Sequence, residues 1–296
     1  MKKKRLIMGY MFVMLSAVIF GLMPLMTKFI YKEGVNSESL VFLRSALAIP
    51  ALFVLALVTK SPVKIKPSKL PMISFMAMMG CCVTPLLLFI SYNYIPSGTA
   101  TVFHFVYPAV VAIGEYVFLK TKLKGAHVLS VLFCVVGIFL FYNGGGINVG
   151  GSILAILSGF AYAVYVVSLS GYKNKDIPTF TFGLYVALFC SAAMLIVCLV
   201  SGTLAFPSSL KGWLLVVLFA FLINVVAVVL FQKGTFLIGG GRASILSTLE
   251  PVTGVIAGAI VFSEKVNIAT VFGTALVVTA SVLIAVLDMK SENKDN

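Results

Sequence analysis

Ser97-Gly-Thr-Ala-Thr-Val-Phe-His-Phe-Val-Tyr-Pro108 and Gly240-Gly-Arg-Ala-Ser-Ile-Leu-Ser-Thr-Leu-Glu-Pro251 are two versions of one pattern. Sliding the chain by 142–143 residues lays Gly98-Thr-Ala100 on Gly241-Arg-Ala243 and Pro108 on Pro251. It also lays Lys122 on Lys265, and Leu15-Ser16 on Leu157-Ser158. The offset is about half of the 296-residue chain, so the sequence reads as a duplicated unit.

Composition says where that unit lives. Of all residues 60% are hydrophobic and only 10% are charged, far from the balance of a soluble domain. The longest polar stretch between apolar segments, Thr59 to Lys69, leaves no room for a soluble catalytic, receptor or nucleotide-hydrolysing domain. A spanning helix needs roughly 20 apolar residues. Apolar length and breaker residues mark ten such segments: 6–29, 39–58, 70–91, 96–118, 126–142, 150–169, 179–200, 212–232, 242–262 and 268–287. The expected fold is an all-α polytopic membrane protein of ten transmembrane helices, in two five-helix repeats at 1–145 and 146–296. An odd number of spans per repeat puts the second copy upside down, an inverted repeat.

The net charge of +13 is distributed as orientation, not as a nucleic-acid surface. With the N-terminus in the cytoplasm and alternating sides, seventeen Lys and Arg fall on the cytoplasmic side. Four (Lys28, Lys32, Lys211 and Lys265) fall outside, and Arg44 lies within helix 2. This positive-inside bias places both termini in the cytoplasm of a cell-membrane protein. Lys2-Lys3-Lys4-Arg5 and the apolar run behind it look like a secretory leader, but the run passes Gly21 without a small-residue cleavage site, so it reads as a retained first helix. The five cysteines lie inside apolar segments with no metal-ligand spacing and read as small hydrophobes. Asn143-Gly144-Gly145-Gly146 lacks the Lys-Ser/Thr of a phosphate-binding loop and reads as the turn between repeats. Neither H-E-x-x-H nor G-x-S-x-G occurs, and no cofactor is indicated.

Several residues in these segments invite a role. Ser97, Thr101, His104 and Pro108 share one face of helix 4, while Ser244, Ser247 or Thr248, and Pro251 take the matching places on helix 9. Two such stripes either line a shared cavity or let helices pack closely. His104 and Glu250 lie deep in their segments, and the repeat sets Glu250 opposite Tyr107. An ionisable group at that depth is a functional candidate, the alternative being a hydrogen bond between helices. Arg44 lies five residues inside helix 2, within snorkelling reach of the outer surface. Tyr162 and Tyr165 align with Ser158 on helix 6, Tyr185 lies on helix 7, and Asn224 lies mid-way along helix 8. Lys28 and Glu115 sit near helix ends, where snorkelling or pairing with surface charges is the expected reading.

The whole chain resembles the EamA-type branch of the drug/metabolite transporter superfamily. The resemblance rests on Gly21, Pro24 and Lys28, then Arg44, in the first half. In the second half it rests on Gly234, Gly239-Gly240-Gly241-Arg242-Ala243-Ser244, Leu249-Glu250-Pro251 and Glu264. The first half departs from it at Thr121, thirteen residues after Pro108, where an acid stands in the second. The resemblance implies a secondary transporter, usually an exporter, of small metabolites such as amino acids. On that reading the substrate-binding residues are Arg44, Thr101, His104, Tyr107, Tyr162, Tyr165, Asn224, Ser244, Ser247 and Glu250. The partners are the lipid bilayer, a small-molecule metabolite and protons, with no nucleic acid. The rival readings are a multidrug exporter of lipophilic cations and a membrane protein without transport activity. The first is disfavoured because helix 1 has no acid between Leu6 and Phe29.

Overall fold

The structure, a computed structural model, describes residues 2–121, 148–172 and 177–262, with isolated positions between 128 and 136 and between 272 and 279. The expected helices at 126–142 and 268–287 therefore lie outside the described residues, those positions excepted. All regular structure among the described residues is helical. Six helical runs are long and apolar enough to cross a membrane: Lys4–Lys32, Ser37–Val58, Pro67–Ser91, Val149–Gly171, Thr179–Ser201 and Leu210–Ile238. The chain is a multi-pass membrane protein.

Three of these runs are interrupted. The first divides at Leu22 into α1 (Lys2–Gly21) and α2 (Met23–Lys32), with Pro24 opening α2. After α3 (Ser37–Val58), the third consists of α4 (Leu70–Ala77), a π-helical turn at Met78–Val83 and α5 (Thr84–Ser91). Then come α6 (Ser97–His104), α7 (Tyr107–Leu119), α8 (Val149–Gly171) and α9 (Thr179–Ser201). The sixth run repeats the pattern of the third, with α10 (Leu210–Ala220), a second π-turn at Phe221–Ala227 and α11 (Val228–Ile238). The last are α12 (Gly240–Leu246) and α13 (Leu249–Phe262).

The segments expected at 96–118 and 242–262 are thus not continuous helices. α6 gives way to α7 at Phe105-Val106, and α12 to α13 at Ser247-Thr248. The cause is proline: Pro108 has no N–H for the His104 carbonyl, and Pro251 none for that of Ser247. The chain bridges each gap with tighter bonds, Val106 N–H to the Phe103 carbonyl at 3.4 Å and Glu250 N–H to the Ser247 carbonyl at 2.9 Å. The expected one-face stripes lose their register at these breaks.

Packing crosses between the two halves. α1 lies against α11, α12 and α13, while α8 lies against α5, α6 and α7. Close approach needs glycine at the crossing. A Cβ on Gly159 of α8 would strike the His104 carbonyl, and one on Gly80 would enter the Tyr165 ring. Ser16 of α1 donates to the Ala227 carbonyl at 2.8 Å, at the end of the second π-turn. One end of the bundle is tied where Asn36, which caps α3, donates to the Thr203 carbonyl at 2.5 Å. Ser208 adds a bond to the Glu33 carbonyl at 3.0 Å. The other end is tied through Glu115. Its carboxylate accepts Ser170 Oγ–H at 2.5 Å and the Gly240 N–H at 3.0 Å, joining the ends of α7, α8 and α12. The sequence suggests snorkelling or surface charge pairing for Glu115; instead it accepts from a helix start, where the backbone N–H groups and helix dipole favour a carboxylate.

Candidate functional site

Segments flanking the breaks and π-turns meet at one cavity. Its lining includes Phe20 and Met23 from the first run, Arg44 from α3, Cys81, Thr84 and Leu88 from the third, and His104 from α6. Tyr162 and Tyr165 of α8, Val228 and Phe231 of α11 and Glu250 of α13 complete it. The space not filled by atoms, its mouth included, is about 540 Å³. The mix of apolar and aromatic walls with a few polar groups is that of a small-molecule site.

Arg44 is only 3% exposed, so it does not snorkel. Its Nη2 donates to the Cys81 carbonyl at 3.2 Å, its guanidinium lies 5.8 Å over the Phe89 ring, and Nε has no hydrogen-bond partner. Glu250 opens α13 and is 7% exposed. Among the described residues no ion pair joins it to Arg44, although both line the cavity. An arginine and a carboxyl group that line one apolar space without pairing with each other are both available to a ligand.

His104 is tied to α8. Its Nδ1 lies 2.8 Å from Ser158 Oγ, whose own proton goes to the Ala155 carbonyl at 2.6 Å. Ser158 can therefore only accept from the ring, which makes Nδ1 the donor and leaves Nε2 of the neutral imidazole as an acceptor. The aromatic wall is continuous: Tyr162 packs at 4.8 Å on Tyr107, 5.5 Å on His104 and 5.7 Å on Phe231. Tyr165 lies 5.8 Å from Tyr162, and its hydroxyl accepts Gln232 Nε2–H at 3.2 Å.

Of the residues singled out by sequence, Arg44, His104, Tyr162, Tyr165 and Glu250 line the cavity. Tyr107 stands behind the wall against His104 and Tyr162, and Asn224 contacts the backbone of Arg44. The three hydroxyls turn back on their own helices: Thr101 to the Ser97 carbonyl, Ser244 to that of Gly241 and Ser247 to that of Ala243. None of the three is among the cavity-lining residues. Thr84, Leu88, Val228 and Phe231 were missed. The last three are apolar, and nothing in the sequence separates a cavity-facing apolar residue from a lipid-facing one. Thr84 follows the first π-turn and donates to the Met79 carbonyl within it, at 2.7 Å.

A fold of this kind, with broken helices around a central cavity, is that of a membrane transporter, and the comparisons agree. The EamA-like transporter family matches twice, over residues 7–143 and 149–286, and the chain belongs to that family. A Bacillus subtilis (strain 168) protein described as an uncharacterized transporter, YcbK, is 25% identical over 280 residues, covering 90% of this chain and 88% of its own. An uncharacterized transporter of Clostridium kluyveri is 22% identical over 290 residues, with 93% and 92% covered. A solved crystal structure shares the fold with a TM-score of 0.75 at 19% identity, over 96% of this chain and 98% of that one.

Proposed function

We propose that this protein is a secondary transporter that exports small zwitterionic metabolites such as amino acids by alternating access. The observation that carries this reading is the pair Arg44 and Glu250, of opposite charge and unpaired with each other, in one apolar and aromatic cavity. Arg44 takes the carboxylate of the substrate, Glu250 its ammonium, and the aromatic wall its side chain. A lipophilic cation has no use for a buried arginine, which disfavours the multidrug reading.

In this reading ten spans form two inverted repeats, 1–145 and 146–296, with both termini cytoplasmic. The lysine distribution supports it, as do the two π-turns and two helix breaks that recur at the sequence offset of 142–143. In that orientation the Glu115 contact with Ser170 and Gly240 closes the cytoplasmic end of the cavity, and its release opens the site inward.

Efflux from proteoliposomes loaded with a radiolabelled amino-acid mixture tests the reading. The purified protein is expected to accelerate loss of at least one amino acid above the rate of protein-free vesicles. Loss at the protein-free rate for every amino acid rejects it.

A further inference from the structure

Arg44 is gripped from both halves of the chain. Its Nη2 donates to the Cys81 carbonyl at 3.2 Å, and its own carbonyl accepts Asn224 Nδ2–H at 2.9 Å. Cys81 lies in the first π-turn and Asn224 in the second, and they stand 143 positions apart, which is the repeat offset. The two gripping residues are therefore the same position of the duplicated unit. A π-turn widens the hydrogen-bond ladder and exposes backbone groups that a plain α-helix would occupy. In the first copy the exposed group used is a carbonyl, in the second a side chain at the matching place.

A relay closes the ring. Asn224 Nδ2 also reaches Ser45 Oγ at 3.3 Å, Ser45 Oγ donates to Cys190 Sγ at 3.2 Å, and Cys190 Sγ donates to the Cys81 carbonyl at 3.0 Å. Ser45 and Cys190 are fully buried, and Asn224 is 7% exposed and outside the cavity lining. The ring fixes one edge of the guanidinium and leaves Nε without a partner.

We propose that Asn224 is a positioning residue for Arg44: it holds the Arg44 backbone directly and, through Ser45 and Cys190, the Cys81 carbonyl to which the guanidinium donates, setting affinity for a carboxylate without touching it. The proposal rests on the reading of the cavity as the substrate site. A guanidinium held in place loses less freedom on binding than a mobile one, so the benefit falls on affinity and not on turnover.

The chain has three arginines, Arg5, Arg44 and Arg242, so nitrogen-15 arginine spectra of the protein in nanodiscs are simple to assign with Arg5→Lys. The wild type is expected to show an immobilised guanidinium signal that Arg44→Lys removes. Asn224→Leu, which keeps the volume and removes the amide, is expected to convert it to a mobile signal. Cys190→Ala, which keeps Asn224 and frees one bond at the Cys81 carbonyl, gives a smaller change and serves if Asn224→Leu does not fold. In the efflux assay Asn224→Leu is expected to raise KM for the transported amino acid about tenfold, the worth of a charge-assisted hydrogen bond, with maximal rate retained. In an Arg44→Lys background it is expected to add nothing. An Arg44 signal unchanged in both variants overturns the positioning role. If instead the signal changes but Arg44→Lys transports normally, the assignment of Arg44 to the substrate fails while the ring around it stands.

Discussion

Arg44→Lys is expected to impair transport nearly as severely as Arg44→Ala. Lysine keeps the charge but not the planar fork, and two features of the site depend on the fork. One edge donates to the Cys81 carbonyl, and the residue also lines the cavity. The flat guanidinium also lies over Phe89. An ammonium cannot satisfy the carbonyl and a bidentate carboxylate together in an apolar cavity. Losing one charge-assisted hydrogen bond costs about 1.5–3 kcal/mol, or about 10- to 150-fold in affinity. The kinetic parameters of amino-acid efflux check this. Full activity in Arg44→Lys would make the residue a point charge only.

The second large effect concerns coupling. Glu250→Gln is expected to abolish the acceleration of efflux by an inward proton gradient, while downhill exchange persists at a raised KM. Glu250 faces the cavity from the start of α13, and His104 from the end of α6, the two broken helices. A carboxylate without a partner in an apolar site costs several kcal/mol, so Glu250 must exchange its charge for a proton or a cationic ligand as the site changes sides. The sign follows directly: the outward-open site takes a proton as the amino acid leaves, and the inward-open site releases it to the cytoplasm. Low external pH therefore speeds export. His104→Gln is expected to reduce the same acceleration, because glutamine supplies no proton-accepting ring nitrogen in place of Nε2. A wild type indifferent to the gradient would make the protein a facilitator, with Glu250 and His104 serving the substrate alone.

Much of this was legible in the sequence, for reasons that differ by residue. Arg44, His104 and Glu250 stood out because a charge inside an apolar segment is costly and needs a purpose, and all three line the cavity. The hydroxyls of Thr101, Ser244 and Ser247 bond their own helices, which spacing cannot reveal, because it shows only which face a residue shares. Pro108 and Pro251 were visible, but the resulting breaks disrupt the register that an ideal helix assumes. The π-turns had no signature. Cys81 reads as a small hydrophobe in a run of others, and the atom that meets Arg44 is a backbone carbonyl that no side-chain pattern can reveal. Asn224 was visible as a polar residue mid-helix, yet its partner was the backbone of Arg44 and not the cavity.

The central claim is that one cavity opens to each side of the membrane in turn. Val228, half-buried in the cavity wall on α11, is the position to test it. On a background with the five native cysteines replaced, Val228→Cys is treated with a membrane-impermeant maleimide in right-side-out and in inverted vesicles. Asn143→Cys and Lys64→Cys serve as markers for the outer and cytoplasmic faces. Alternating access predicts that Val228→Cys labels from both sides while each marker labels from one. Labelling of Val228→Cys from a single side, or from neither, would contradict it.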